Sequence, residues 1–211
     1  MAEQPLVDYS AAMLDVAHPL APFALGFALG LRHALDSDHL VAMATIVSQE
    51  RRILRSMMLG GWWGLGHTST LLAGGVAVSL IGAPIPDAWS RWFELAVAAM
   101  LVVLGITALW SRRGADRGPG KSRPFAVGAV HGLAGTGAAA ILLAAAAGSP
   151  WLGILTTLWF GLGSVAGMMA MSALFCLPLA LSTGSFVPRA IRLAAGVSSI
   201  VFGLYYAYQV A

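Results

Sequence analysis

Residues 19–49 read PLAPFALGFALGLRHALDSDHLVAMATIVSQ, an apolar run with the polar cluster RHALDSDH at 32–39 in its middle. The run exceeds the roughly 20 apolar residues that a straight bilayer crossing needs. It therefore predicts a long membrane helix holding Arg32, His33, Asp36, Asp38 and His39. At about 1.5 Å of rise per residue, His39 stands roughly 18 Å from Arg51, the first base of the following loop. On a regular helix His33, Asp36 and His39 follow at steps of about 60° and share a face. Arg32 lies on the same arc, four residues before Asp36, where an ion pair is geometrically easy. Asp38 points elsewhere unless the helix unwinds around Leu35-Asp36-Ser37, where Asp36 or Ser37 would cap a second half-helix.

The rest of the chain extends the membrane reading. Of 211 residues, 58% are hydrophobic and 10% charged, with a mean hydropathy of +0.80; an ordinary soluble domain has roughly 25% charged residues. The single cysteine, Cys176, lies in an apolar run, so neither a disulfide framework nor a thiolate zinc site is available. The first 18 residues contain no Lys or Arg, and no small-residue cleavage site follows a short apolar core. That pattern reads as no cleaved signal peptide.

Apolar runs bounded by Pro, Gly and charge predict six spans, near 20–48, 56–82, 92–111, 125–147, 151–181 and 188–210. Alternate loops carry the bases: Arg51, Arg52 and Arg55 after the first span, Arg112, Arg113, Arg117, Lys121 and Arg123 after the third, and Arg189 and Arg192 between the fifth and sixth. Only Arg91 falls on the other side. By the positive-inside rule those loops are cytoplasmic and both termini face outward. The sequence pI of about 9.5 is thus a matter of loop topology and does not point to nucleic acid. Trp62, Trp89, Trp92, Trp110, Trp151, Tyr205, Tyr206 and Tyr208 fall mostly near predicted interfaces, where amphipathic rings settle. The expected fold is an all-α integral membrane protein of the cell membrane. It comprises an outer segment (1–18, with His18 given no role), a three-span unit (19–111), a basic loop (112–124) and a second three-span unit (125–211).

The two units echo each other. His33-Ala34-Leu35 answers His131-Gly132-Leu133, 98 positions on, and Trp63-Gly64-Leu65-Gly66 answers Phe160-Gly161-Leu162-Gly163, 97 on. Val103-Leu104-Gly105 answers Val201-Phe202-Gly203, again 98 on. Gly-rich apolar helices produce chance matches, but three in order at one offset are harder to dismiss. A three-span repeat re-enters the membrane from the opposite side, so the second copy is inverted. That architecture recurs in transporters, with the substrate site near the midplane.

Each Asp or Arg at a helix centre costs roughly 2.5–3.5 kcal/mol on insertion scales, so Arg32, Asp36 and Asp38 face about 8–10 kcal/mol before pairing. Imidazole with carboxylate is ligand chemistry for first-row divalent metals. The bland alternative is a salt-bridge and hydrogen-bond network joining helices, but two His and two Asp within seven residues exceed what such a network needs. His67, in GLGHTST, lies mid-way through the second span, and His131, in VHGLAGTG, is the repeat partner of His33. A lone membrane His is often only a helix–helix hydrogen-bonding residue, and for His131 both readings stand.

RHALDSDH carries the spacing H-x-x-x-x-D-H through His33, Asp38 and His39, and closely resembles the signature R-H-A-x-D-A-D-H of the nickel/cobalt transporter (NiCoT) family. Leu65-Gly66-His67-Thr68-Ser69 resembles its second motif, L-G-H-S-T, with the hydroxyl residues exchanged. Together they cover the first two spans. The resemblance implies a permease in which His33, Asp38 and His39, with Asp36 and His67 beside them, select and carry Ni²⁺ or Co²⁺; the residues themselves add Arg32, His131 and Ser164 as candidate further site residues. Longer family members have eight spans and further acidic motifs, whereas Gly161–Met168 (GLGSVAGM) has no carboxylate. The six-span form and HGLAGTG look more like the compact, urease-accessory (UreH-like) branch. No phosphate-binding loop is present, so the expected coupling is to an ion gradient or the membrane potential. The expected partners are the bilayer and the metal ion as substrate, with no permanent cofactor, no nucleic acid and a homo-oligomer allowed. Two alternatives remain open. One is an exporter of another solute using the cluster as a proton relay. The other is an intramembrane zinc hydrolase with Ser69 or Ser164 assisting, which lacks an H-E-x-x-H pairing.

Overall fold

The run that carries RHALDSDH forms two helices, α1 (Ala21–His33) and α2 (Ser37–Val47), in place of one continuous span. The computed structural model describes residues 21–81, 87–110, 120–134 and 150–211. The last turn of α1 tightens: the N–H of Leu35 donates to the Arg32 carbonyl (2.9 Å) and that of Asp36 to the His33 carbonyl (3.0 Å). Asp36 then takes an extended conformation (φ −62°, ψ 145°), and its carbonyl accepts from Leu40 N–H at 3.0 Å, the first bond of α2. The local chemistry explains the break. Asp36-Ser37-Asp38 are residues that compete with backbone partners inside helices and favour their starts, and Asp38 meets the positive end of α2. The break also removes the i, i+4 geometry expected for Arg32 and Asp36. Arg32 is exposed, and the Asp36 carboxylate turns instead to His33.

The other described helices are α3 (Ile53–Ile81), α4 (Asp87–Trp110), α5 (Ser122–Leu133), α6 (Pro150–Leu181) and α7 (Phe186–Val210), and no strand occurs among the described residues. Helix α5 ends early in the expected fourth span. Ala134 is extended (φ −71°, ψ 155°), and the remainder of that span lies outside the described residues, as do the N-terminal segment with His18 and the bases Arg112, Arg113 and Arg117. Three helical segments, Trp89–Trp110, Ile154–Leu181 and Phe186–Val210, are long and apolar enough to cross a membrane.

Polarity is arranged inside out relative to a water-soluble fold. His39, His67, His131, Ser164, Ser172 and Ser199 are fully buried, while Leu54, Trp110, Leu174, Phe186 and Val201 stand more than half exposed. In hydrocarbon that is the favourable arrangement: apolar side chains meet lipid and polar groups pair inside.

Helix α3 packs along α6 and α5, α6 also along α1, and α4 along α7; α2 sits against α7, α6 and α4. Small residues set the closest crossings. A Cβ on Gly30 of α1 would collide with the Phe160 carbonyl of α6, and one on Gly128 of α5 with the Trp63 carbonyl of α3. Such contacts let dispersion act between backbones where lipid offers no hydrophobic drive. They also fix where the ends of α1 and α5 arrive: each finishes beside the same point in the bundle.

Candidate metal centre

Four imidazoles meet at that point. His33 comes from the last turn of α1, His39 from the first turns of α2, His67 from the middle of α3, and His131 from the last turn of α5. His39 is central: its ring centroid lies 4.4 Å from His33, 5.0 Å from His67 and 4.3 Å from His131. Helix continuity would have prevented this gathering. Breaking the first span after His33 lets His33 and His39 approach from two different helices, and brings Asp38 into the cluster.

Two carboxylates orient the rings. His33 donates from Nδ1 to Asp36 Oδ2 at 2.8 Å, so its Nε2 carries the lone pair. Asp38 accepts from both His39 Nδ1 (3.1 Å) and His131 Nε2 (2.7 Å), linking α2 to α5. In the neutral tautomers that donate to Asp38, His39 Nε2 and His131 Nδ1 carry the lone pairs; both are buried with no hydrogen-bond partner among the described residues, as is His67 Nδ1. Carboxylates that fix the tautomers of metal-binding imidazoles are a recurring outer-shell arrangement, and Asp36 stands in that relation to His33.

The ligand atoms fall into two overlapping groups. One atom each from His33, His39 and His67 lies within 4.8 Å of the others, and so does one each from Asp38, His39 and His131. Within the first group, His67 Nε2 donates to His33 Nε2 at 3.2 Å, a hydrogen bond that a bound ion would replace. Two nitrogens at that separation, each about 2.1 Å from one dication, would subtend about 100° there, between octahedral and tetrahedral angles. The ends of α1 and α5 add their partial negative charge beside the cluster.

Of the sequence-expected residues, His33, Asp38, His39 and His67 meet here together with His131. Asp36 reaches the cluster only through His33 Nδ1 and belongs to neither ligand group. Ser164 is buried, but its hydroxyl donates to the Phe160 carbonyl one turn back (2.9 Å). Arg32 is exposed on α1. The walls were not anticipated from sequence. The Trp63 ring centroid lies 5.3 Å from that of His39 and 5.4 Å from that of His131, while Phe160 lies 5.3 Å from His33. Their signal was present in the paired motifs WGLG and FGLG.

Comparison with known proteins bears on this site. The urease accessory protein UreH of Bacillus sp. (strain TB-90) is 34% identical over 215 aligned residues, covering 93% of this chain and 94% of that protein. The high-affinity nickel transport protein of Cupriavidus necator (strain ATCC 17699 / DSM 428 / KCTC 22496 / NCIMB 10442 / H16 / Stanier 337) is 29% identical over 102 residues, which is 44% of this chain and 28% of that one. No family model matches the chain, and no solved structure matches it. With the apolar helices described above, the relatives place the chain among multi-pass membrane proteins.

Proposed function

Because this chain belongs to the UreH-like branch of the nickel/cobalt transporter family, we propose that it is a secondary-active permease for Ni²⁺ or Co²⁺, the ion being its substrate. The observation that carries the reading is the set of four buried imidazoles gathered at one point inside the bundle, three of them with a buried ring nitrogen that has no hydrogen-bond partner among the described residues. Borderline nitrogen ligands favour late first-row dications over Mg²⁺ or Ca²⁺, which take oxygen. In this mechanism His33, His39 and His67 strip and hold the ion, with Asp38 supplying the charge beside it. Asp36 holds the His33 ring in its ligating orientation. The C-terminal ends of α1 and α5 favour a cation, Asp38 offsets the positive end of α2, and the membrane potential or an ion gradient drives the cycle.

The same reading organises the helices as six spans in two inverted three-span repeats, with both termini outside. Its support is a set of exchanged contacts. The repeat offset carries Gly30 against Phe160 onto Gly128 against Trp63, and Gly163 against Phe27 onto Gly66 against Phe125. It likewise carries the Phe160–His33 ring contact onto Trp63–His131. The site is asymmetric, because His67 is answered by Ser164.

Uptake of radioactive nickel and cobalt into proteoliposomes tests the proposal. Saturable uptake should be abolished in His33→Ala and His39→Ala; unchanged uptake in both would overturn it. The hydrogen-bonded chain His39–Asp38–His131 supports a second reading, a proton relay for another solute. That reading requires pH-dependent flux indifferent to metal chelators.

A further inference from the structure

Among the described residues, five candidate ligand side chains gather at the cluster. They form two groups of three that share only His39. The first, His33, His39 and His67, lies wholly on α1, α2 and α3, within the first half of the chain. The second, Asp38, His39 and His131, spans α2 and α5 and so bridges the two halves. We propose that these are two successive positions for one ion, with His39 as the ligand common to both and His131 as the group that draws the ion from the first half to the junction between halves. The inference rests on the metal-permease reading and deepens it by assigning a transfer step.

The two groups differ in readiness. In the first, the Nε2 atoms of His33 and His67 share one hydrogen bond of 3.2 Å that an ion would replace, and His39 Nε2 has no hydrogen-bond partner among the described residues. In the second, Asp38 is held by His131 and His39 through hydrogen bonds of 2.7 and 3.1 Å. An ion arriving there must displace at least the His131 bond. A turn of the His131 ring about its Cβ–Cγ bond breaks the Nε2 bond to Asp38 and re-aims Nδ1, which has no hydrogen-bond partner among the described residues. No proton need leave the protein. The Asp38–His131 link joins two helices that are not otherwise a closely packed pair. Breaking it leaves the α3–α5 and α2–α7 packing intact.

Charge argues for one ion in turn rather than two at once. The shared ligand joins the two positions closely, and among the described residues the carboxylates at the cluster are Asp38, in the second group, and the half-exposed Asp36 behind His33. Two dications that close in a medium of low dielectric would repel strongly. A binding site that also releases must offer a second position weak enough to leave.

The experiment compares equilibrium nickel binding in detergent with initial uptake in proteoliposomes for the wild type, His67→Ala and His131→Gln. Gln can still donate to Asp38 but offers no imidazole lone pair. The expected result is one nickel per wild-type chain. His131→Gln should keep the affinity within about threefold while losing at least about tenfold in maximal uptake, a barrier increase of about 1.4 kcal/mol. His67→Ala should lose binding itself. Unchanged uptake in His131→Gln would overturn the transfer step while leaving the permease reading intact. Binding lost as fully as in His67→Ala, or two nickel ions per chain, would also overturn it. A wild type that neither binds nor moves Ni²⁺ or Co²⁺ would overturn the permease reading itself. X-ray absorption of the nickel-loaded wild type gives a check that needs no variant. Three imidazoles in the resting shell are expected, and four would show a single merged site.

Discussion

The outer shell offers the most quantitative perturbation. Asp36 Oδ2 accepts from His33 Nδ1 at 2.8 Å and is 49% exposed. It therefore acts on the ion only by holding His33 in one tautomer and adding a partly screened charge. Loss of such a partner typically weakens metal affinity about 10–100-fold, or about 1.4–2.8 kcal/mol. Asp36→Asn can still accept from Nδ1 through its amide oxygen, so it should sit near the lower end, about tenfold. Asp36→Ala frees the ring to rotate and change tautomer, and should approach about a hundredfold. The backbone will not confound the result. Asp36 makes no side-chain capping bond to α2, and its φ and ψ suit any residue. The assay is nickel binding in detergent against a competing chelator, with Arg32→Ala as the control expected to match the wild type. Affinity unchanged within about twofold in Asp36→Ala would refute the orienting role. A loss as complete as that in His67→Ala would make Asp36 a direct ligand.

Three further outcomes follow from packing and topology. Gly30→Ala drives a methyl into the Phe160 carbonyl and should destabilise the bundle by about 1–3 kcal/mol, whereas Gly184→Ala meets nothing within 4 Å and should be neutral in thermal unfolding in detergent. Ser199→Ala removes a buried hydroxyl that donates to the Leu101 carbonyl at 2.7 Å; its cost should be near the modest value of about 0.6 kcal/mol typical of membrane helix contacts, and a loss above about 2 kcal/mol would contradict that. In a Cys176→Ala background, Gly184→Cys should react with an impermeant thiol reagent only from the cytoplasmic side and Trp89→Cys only from the outside. Labelling of both from one side would refute the six-span topology.

Much of this was legible in the sequence because membrane insertion is costly for charge. Apolar runs marked the helices, and the residues that violated them marked the cluster. The roles of the two aspartates were harder to read. A continuous helical wheel puts Asp36 on the ligand face, pairs it with Arg32 and sends Asp38 away. Once the helix breaks after His33, Asp36 becomes the cap behind His33 and Asp38 bonds both His39 and His131. A wheel assumes the continuity that three consecutive capping-type residues remove. His131 was ambiguous for another reason. It lies on α5, remote in sequence from the motif, and only the repeat offset pointed to it. Its burial against Trp63 comes from the close approach at Gly128, a packing relation that no local pattern encodes.

The central claim is that the imidazole cluster carries a late first-row dication across the membrane. Its most direct test is chelator-sensitive accumulation of radioactive nickel or cobalt by proteoliposomes holding the wild type or His39→Ala, because His39 belongs to both ligand groups. Saturable uptake by the wild type that falls to the protein-free background in a folded His39→Ala variant is the predicted result. Equal uptake by the two proteins, or wild-type uptake no greater than that of empty vesicles, would contradict it.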